Sequence, residues 1–375
     1  YDYLEDLERD PEGVKLAIQQ YSAVLAATCQ QSIADPVLRI KGVDKLGDMH
    51  FDTVIVDEAA RAMPLDLLIP MAQTKRRIIL VGDHRQLPHV LEEDVEREVE
   101  KSQSPTTQEV LKKSLFERLF AMMRERERID GVKRTITLDQ QYRMHPVLGR
   151  FVSKAFYDRY GEGFGDGLPP ESFSHQLSPY EERVAAWVNV PFLNGGEIGR
   201  QSKRRPYEAK RVARELRNLI DQDSTLTFGV ISFYTGQVQE IMECLCDVGL
   251  TERDESGNLR IAPGYRETRD AEGKFVERLR VGTVDAFQGK EFDVVILSVT
   301  RSNQLRGEDE RTLRRKYGFL LLENRLCVAM SRQKRLLIVV GDESMLDHPA
   351  AEHRLAGLVA FHQLCTGGSP YGIRV

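Results

Sequence analysis

No apolar run in this 375-residue sequence reaches the ~18 residues of a membrane span, and no leader-like stretch opens it. Both absences argue against a membrane or secreted protein and predict an intracellular one, cytoplasmic or nuclear. The five cysteines, Cys29, Cys244, Cys246, Cys327 and Cys365, form no CxxC pair and have no histidines at zinc spacing. That pattern predicts reduced, buried thiols and no structural metal. Basic charge is not in surplus either, since 53 Lys and Arg stand against 58 Asp and Glu for a formal net charge of -5. A uniformly basic nucleic-acid-binding surface is therefore excluded, but a local basic groove is not, because binding follows charge distribution. The sequence also has no internal repeat and no low-complexity tract.

What is present is the composition of a soluble globular protein, 41% hydrophobic and 30% charged, on a chain long enough for two domains. Leu4, Leu7, Val14 and Ile18 recur at helical spacing, which predicts an amphipathic helix over 1–20. VLAAT at 24–28 reads as a short strand that breaks into a polar turn at Thr28. In VIVDEAARA at 54–62, continuous hydrophobicity predicts a strand buried on both faces, and Pro64 opens a helix to about Met71. A second apolar strand, RRIILV, ends in Gly82 and Asp83, with Pro88 stopping any immediate helix. Strand, helix, strand with polar tips is the pattern of a parallel α/β sheet. Residues 91–113 read as an exposed insertion, and SLFERLFAMMRERE as a helix. TITLDQQYRMHPVLGRFVSKAFYD at 135–158 joins a strand to a helix, and a Gly/Pro cluster follows at 160–180.

The pattern then repeats. AAWVNV predicts a strand, 207–220 a helix, FGVIS a strand running into a helix, and RVGTVDAFQGKEFDVVILSVTRS a strand, turn and strand. Residues 250–277 read as a hairpin or flexible loop, 321–342 as helix then strand, and the end as one helix with a loose tail. The expected organisation is a first lobe at 1–145, a second at 146–350, and a terminal helix and tail at 351–375, the lobe boundary falling between about 141 and 180.

Asp57 and Glu58 are two adjacent carboxylates at a strand end, where ligands of open α/β sheets bind. Such charges cost free energy unless a cation or a proton transfer uses them, although helix capping is an equally available reading. Their company is Asp83, Gln86, Arg143, Gln288, Glu291 and Arg332. That inventory suits phosphate chemistry: a carboxylate for magnesium, a group to orient water, and cations for the transferring phosphoryl oxygens. Bland readings stand beside it. Arg332, Lys334 and Arg335 suit a basic helix C-terminus; His84, His89 and His145 suit structural histidines; and KRR at 203–205 suits a solvated helix start.

DEAARA, GDHRQLP, QYRMHP, VDAFQGKEFDVVILSVTRS and NRLCVAMSRQKR, in this order over about 21–342, resemble the motifs of superfamily 1 helicases of the Upf1-like group. The resemblance implies two RecA-like lobes with parallel sheets that couple ATP hydrolysis to 5′-to-3′ movement on single-stranded RNA or DNA. Carried over by position, it makes Asp57 the magnesium-binding acid, reached through water, and Glu58 the residue that activates the attacking water. Gln86 becomes the γ-phosphate sensor, Tyr142 an aromatic stacked on adenine, and Arg143 and Arg332 phosphate-contacting arginines supplied across the cleft. Gly289 and Glu291 match positions near the γ-phosphate and ribose, while Thr28, Tyr234, Gln237, Thr283 and Asp285 match positions near the nucleic-acid backbone. Phe233 departs from the pattern, which usually has proline there.

A GxxxxGK[ST] loop, whose amides and lysine hold the β/γ-phosphates, is absent from the sequence. With Tyr1 rather than Met at the start, the expectation is a first lobe that is incomplete, its P-loop on an upstream part of its own chain. The chain alone is then expected to bind ATP poorly and to hydrolyse almost none. The alternatives are a noncatalytic nucleic-acid-binding or scaffold module, and a nucleotide enzyme of another class such as a kinase. Asp57, Glu58, Gln86, Arg143 and Arg332 all being intact speaks against the first, and arginines on two separate motifs against the second.

Overall fold

The structure is a computed structural model, and it describes residues 8–34, 51–87, 113–270 and 272–375. His89, the loop before Phe51 and nearly all of the insertion expected at 91–113 lie outside the described residues. Contacts divide the chain into two units, Tyr1–Ile136 and Thr137–Val375, ahead of the expected boundary at 145/146. QYRMHP thus belongs to the second unit. No helix among the described residues is long and apolar enough to cross a membrane.

In the first unit the helix expected over 1–20 is observed from Pro11 onward as α1, Pro11–Tyr21, with residues 1–7 of that expectation lying outside the described residues. VLAAT, expected to be a strand, joins no ladder among the described residues, and Thr28 instead begins a short helical turn by accepting the Gln31 N–H at 3.2 Å. Strand β1 (Phe51–Val56) leads through helix α2 (Pro64–Ala72) to β2 (Thr74–Leu80), paired in parallel with β1. Burial on both faces does not hold for β1. Val54 and Val56 join Leu67 and Phe116 in the core, whereas Ile55 is 65% exposed. Side chains alternate across a strand, and the α2 and Phe116 side of this sheet is the one that is filled. Helix α3 (Leu115–Asp130) starts where Ser114 accepts the Glu117 N–H at 3.1 Å and stops at Gly131, whose φ of 70° closes the last turn.

The second unit is built on a six-stranded, wholly parallel sheet. Its strands, in spatial order, are Leu279–Thr283, Phe228–Ser232, Phe292–Ser298, Gln333–Gly341, Ala185–Asn189 and Gly372–Arg374. The central runs, VVIL and LLIVV, are apolar at every position because helices cover both faces. On one face, Ala186, Val188, Val230, Ile296 and Ile338 pack with Val212, Leu216, Ile241 and Leu245 of helices Pro206–Ile220 and Thr235–Asp247. On the other, Trp187 meets His362 of helix Ala356–Thr366, ring centroids 4.9 Å apart. The tail expected to be loose is the sixth strand, paired with Ala185–Asn189 and tied by two bonds from Arg374 to Glu343. Only a tertiary neighbour makes a strand of GIR. The region 250–277 folds as two short antiparallel hairpins, Thr251–Arg253 with Leu259–Ile261 and Glu267–Arg269 with Phe275–Glu277.

Candidate active site

In the first unit the DEAA turn follows β1 directly and is held by close packing. Ala59 N–H donates to Val81 O at 2.8 Å, and Ala59 and Ala60 are buried against the exit of β2. A Cβ on Gly82 would stand 2.8 Å from Ala60 N, so the two strand ends approach only because residue 82 has no side chain. This packing leaves Asp57 and Glu58 exposed. Glu58 takes a left-handed φ of 52°, uncommon for a residue with a Cβ, and its N–H donates to Asp57 Oδ1 at 2.9 Å. In the turn after β2, Asp83 accepts the Arg85 N–H at 2.9 Å and the Gln86 side-chain amide at 2.8 Å, so one carboxylate shapes the turn and aims Gln86. His84 lies against Phe116 and Phe120, a packing role.

In the second unit, QYRMHP, VDAFQGKE and AMSRQ come together. Gln140–Gln141 pairs with Gly165–Asp166, and the Gln141 amide then donates to Met144 O and Asp166, which bends the chain so that Arg143 projects. Arg143 Nε donates to Glu291 at 3.0 Å and its Nη1 to Ser331 O at 3.1 Å, while Lys334 pairs with the other oxygen of Glu291 at 2.9 Å. Burial alone would raise the Glu291 carboxyl, but the bonds from Lys334 and Arg143 outweigh it and hold the group below its ordinary value. It is an anion with two cations at pH 7. Gly289, at φ 72°, makes the left-handed turn that delivers Glu291, and the buried Oε1 of the neighbouring Gln288 has no hydrogen-bond partner among the described residues.

Arg332 sits one residue past the carbonyl that Arg143 grips. Its side chain is buried and folded back, Nε donating to Val328 O at 3.2 Å and Nη2 to Ser331 Oγ at 2.9 Å. Lys334 and Arg335 are not a helix C-terminus as the basic run suggested. They begin strand Gln333–Gly341, where Arg335 pairs with Asp293 at 2.8 Å. Tyr142 is 62% exposed and lies over Gly167, where a Cβ would stand 2.2 Å from its ring. His145 is a satisfied structural histidine. It caps helix Pro146–Val152 by accepting the Val147 N–H, and desolvation lowers its pKa, with Arg150 adding to the effect.

Two positions expected near a nucleic-acid backbone are interior instead. Gln237 is fully buried, accepting Arg205 N–H at 2.7 Å and donating to Ser298 Oγ at 2.9 Å. Tyr234 is buried, its hydroxyl accepting the Phe319 N–H at 3.3 Å and its ring 5.1 Å from that of Phe319. Both act as positioning groups, because burial leaves them no face for a ligand. Thr283 is half-buried at a strand end, and Asp285 accepts both forks of Arg325, at 3.1 and 3.3 Å. Thr28 is exposed. The KRR run does lead into the helix Pro206–Ile220, with Arg204 exposed and Lys203 half-buried, but its last member is not solvated: Arg205 is buried, bonded to Pro191 O, Gly195 O and Glu208. Lys334 was legible only as one more charge in SRQKR, and Arg325 and Phe319 carry no local signal.

Two family profiles, each described as an AAA domain, match residues 111–344 and 3–94. The chain is 29% identical over 311 residues to the ATP-dependent helicase NAM7 of Saccharomyces cerevisiae, covering 81% of this chain and 26% of that protein. It is 28% identical to a regulator of nonsense transcripts 1 homolog of Neurospora crassa, over 90% of this chain and 26% of that protein. With helicase sen1 of Schizosaccharomyces pombe it shares 28% identity over 88% of this chain and 16% of that one. The chain thus spans between 16% and 26% of the length of these relatives.

Proposed function

Since the chain belongs to the AAA-domain family, within the Upf1-like group of superfamily 1 helicases, we propose that the protein is an ATP-dependent helicase that moves 5′ to 3′ on single-stranded nucleic acid. The observation that carries this reading is the DEAA turn. Glu58 is exposed in a left-handed backbone conformation while its neighbours Ala59 and Ala60 are buried, and such outliers concentrate at functional sites.

In this reading Glu58 takes a proton from the water that attacks the γ-phosphate, and Gln86, aimed by Asp83, senses that phosphate. Asp57 would hold magnesium. Only its Oδ1 is used internally, so Oδ2 remains as the single hard oxygen that suits an ion keeping most of its waters. Magnesium, when bound, neutralises charge on the phosphates. Arg143 is kept extended by Glu291 and Ser331 O, ready to exchange a carboxylate for phosphoryl oxygens, and Tyr142 offers an open ring face to the adenine. Arg332 acts as the second phosphate-directed arginine after leaving Val328 O and Ser331 Oγ. An arginine so used contributes about 10³–10⁵ in rate. Contacts to phosphates from short polar groups read no bases, so binding has weak sequence preference and falls with salt.

The test is Glu58→Gln in the full-length protein, which keeps ATP binding and lowers nucleic-acid-stimulated hydrolysis by about 10²–10⁴. Hydrolysis at the parent rate would sink the assignment.

A further inference from the structure

We propose that the helix Glu310–Tyr317, in the connection between strands Phe292–Ser298 and Gln333–Gly341, is a phosphate-binding extension of the single-strand track, with Arg311, Arg314 and Arg315 as its contact residues. The proposal rests on the helicase reading above and adds to it a surface that none of the five motifs contains.

The helix ERTLRRKY has two distinct faces. Leu313, Lys316 and Tyr317 are buried: Lys316 Nζ donates to Leu305 O at 2.9 Å, and Tyr317 hydroxyl to Met345 O at 3.2 Å. Arg311, Arg314 and Arg315, spaced i, i+3 and i+4, share the opposite face and are exposed around a shallow concavity. Their side chains make no hydrogen bond or ion pair among the described residues. Elsewhere in this unit arginines are commonly paired with carboxylates, as at Arg143, Arg204, Arg280, Arg325, Arg335 and Arg374. Of the acids at the start of the helix, Glu310 is already paired with Arg354 at 2.9 Å, Asp309 is used as the cap that accepts the Thr312 N–H at 3.0 Å, and Glu308 is exposed ahead of the first turn. Helix-dipole compensation accounts for Arg314 and Arg315 in the last turn but not for Arg311, which stands in the first turn where a positive charge is unfavourable. Three unpaired guanidiniums on a chain of net charge -5 are a local demand for anions.

Charge complementarity to phosphates and continuity with Asp285, the solvent-reaching one of the expected nucleic-acid positions in this series, supply the occupant, with Tyr234 as a buried link that touches no ligand. Arg301 is buried and donates to Lys316 O at 3.0 Å and to Arg315 O, which caps the helix C-terminus. The same guanidinium pairs with Glu197 at 2.9 Å and reaches the Tyr234 hydroxyl at 3.5 Å. Gly318 follows at φ 54°, in a space where a Cβ would stand 2.3 Å from that hydroxyl. The turn presents Phe319, 39% exposed, with Arg325 4.9 Å over its ring and Asp285 beyond. Asp285, Arg325, Phe319, Tyr234, Arg301 and the arginine helix therefore form one connected series. A strand that passes the exposed edge of Phe319 and the Arg325 guanidinium over its ring brings its following phosphates to the arginines.

The experiment is titration of the full-length protein with fluorescein-labelled 20-mer oligouridylate and oligothymidylate, followed by anisotropy across a salt series. Arg311→Ala/Arg314→Ala/Arg315→Ala removes three phosphate contacts, so the slope of log K against log salt shrinks by about 2, at ~0.7 per single-strand contact. At 0.1 M salt that is about fivefold in affinity per arginine. The triple Arg→Lys variant retains the charge and restores the parent slope. An alanine variant with an unchanged melting temperature, affinity and slope overturns the proposal. So does one that binds both oligomers normally and loses only binding to poly-glutamate, which would assign the face to an acidic polypeptide. If the parent chain binds neither oligomer, the helicase reading fails, a result separate from a parent that binds and a variant that binds equally well.

Discussion

Glu208→Ala is expected to be among the most damaging single substitutions in the second unit. Both Glu208 and Arg205 are fully buried, and the carboxylate accepts from Ser298 Oγ at 2.6 Å, Thr300 N–H at 2.7 Å and Arg205 Nη1 at 3.3 Å. Truncation leaves a buried guanidinium with two carbonyls and no counter-charge, which costs about 3–5 kcal/mol. The orphaned Thr300 N–H adds about 1–3 kcal/mol. The sum is a large part of the ~5–15 kcal/mol that stabilises an ordinary domain. Trp187, the one tryptophan in the sequence, is buried in the central sheet and reports unfolding of this unit directly. With a urea m-value of ~2–3 kcal/mol/M, the midpoint of its fluorescence transition falls by about 1–4 M. Arg205→Ala costs a similar amount, and the double variant costs far less than the sum, with a coupling of about 2 kcal/mol or more. Arg205→Met/Glu208→Leu recovers most of the loss, because removing both charges also removes their desolvation penalty. A midpoint that does not move in Glu208→Ala, or single effects that simply add, would refute the account of the pair as one mutually dependent buried unit.

Two further outcomes follow from the same unit. Arg374 donates two bonds to Glu343 and holds its carboxyl below the ordinary value, with His362 helping. A depressed carboxyl stabilises the fold above its unfolded value and ceases to do so as pH falls through the folded one. Below about pH 4.3, amide exchange in the terminal strand Gly372–Arg374 should rise ahead of the central strands, and Glu343→Gln should remove that pH dependence. Gly318→Ala places a Cβ 2.3 Å from the Tyr234 hydroxyl at a left-handed φ of 54°. The backbone alone costs about 1–2 kcal/mol, so an unchanged melting temperature would mean that the Tyr234–Phe319 turn is not held as described.

Much of the architecture was legible from the residues. Apolar runs ending in polar tips located the strands Phe51–Val56, Thr74–Leu80, Ala185–Asn189, Phe228–Ser232, Phe292–Ser298 and Gln333–Gly341, and helical spacing located Pro206–Ile220. The errors share a cause. VLAAT has a strand's composition but no ladder partner among the described residues, and GIR has little strand character yet pairs beside Ala185–Asn189. β-propensity expresses what a neighbouring strand allows, so a short segment cannot declare its own state.

The sequence by itself determined the inventory: an acidic pair at a strand end, a glutamine after the next strand, and arginines on two later motifs, each marked by local order and spacing. It could not say which of these residues meet solvent or one another. Arg143 and Glu291 are 148 positions apart, and only the parallel strand order brings the starts of Phe292–Ser298 and Gln333–Gly341 side by side, with Glu291, Ser331 and Lys334 around one guanidinium. Gln237, Tyr234 and Arg205 were turned inward by the same sheet, because buried polar ends of strands must satisfy one another where water does not reach. Polarity in a sequence marks where chemistry is possible; depth, which only the packed fold assigns, decides whether a polar group meets a ligand or holds its neighbour in place.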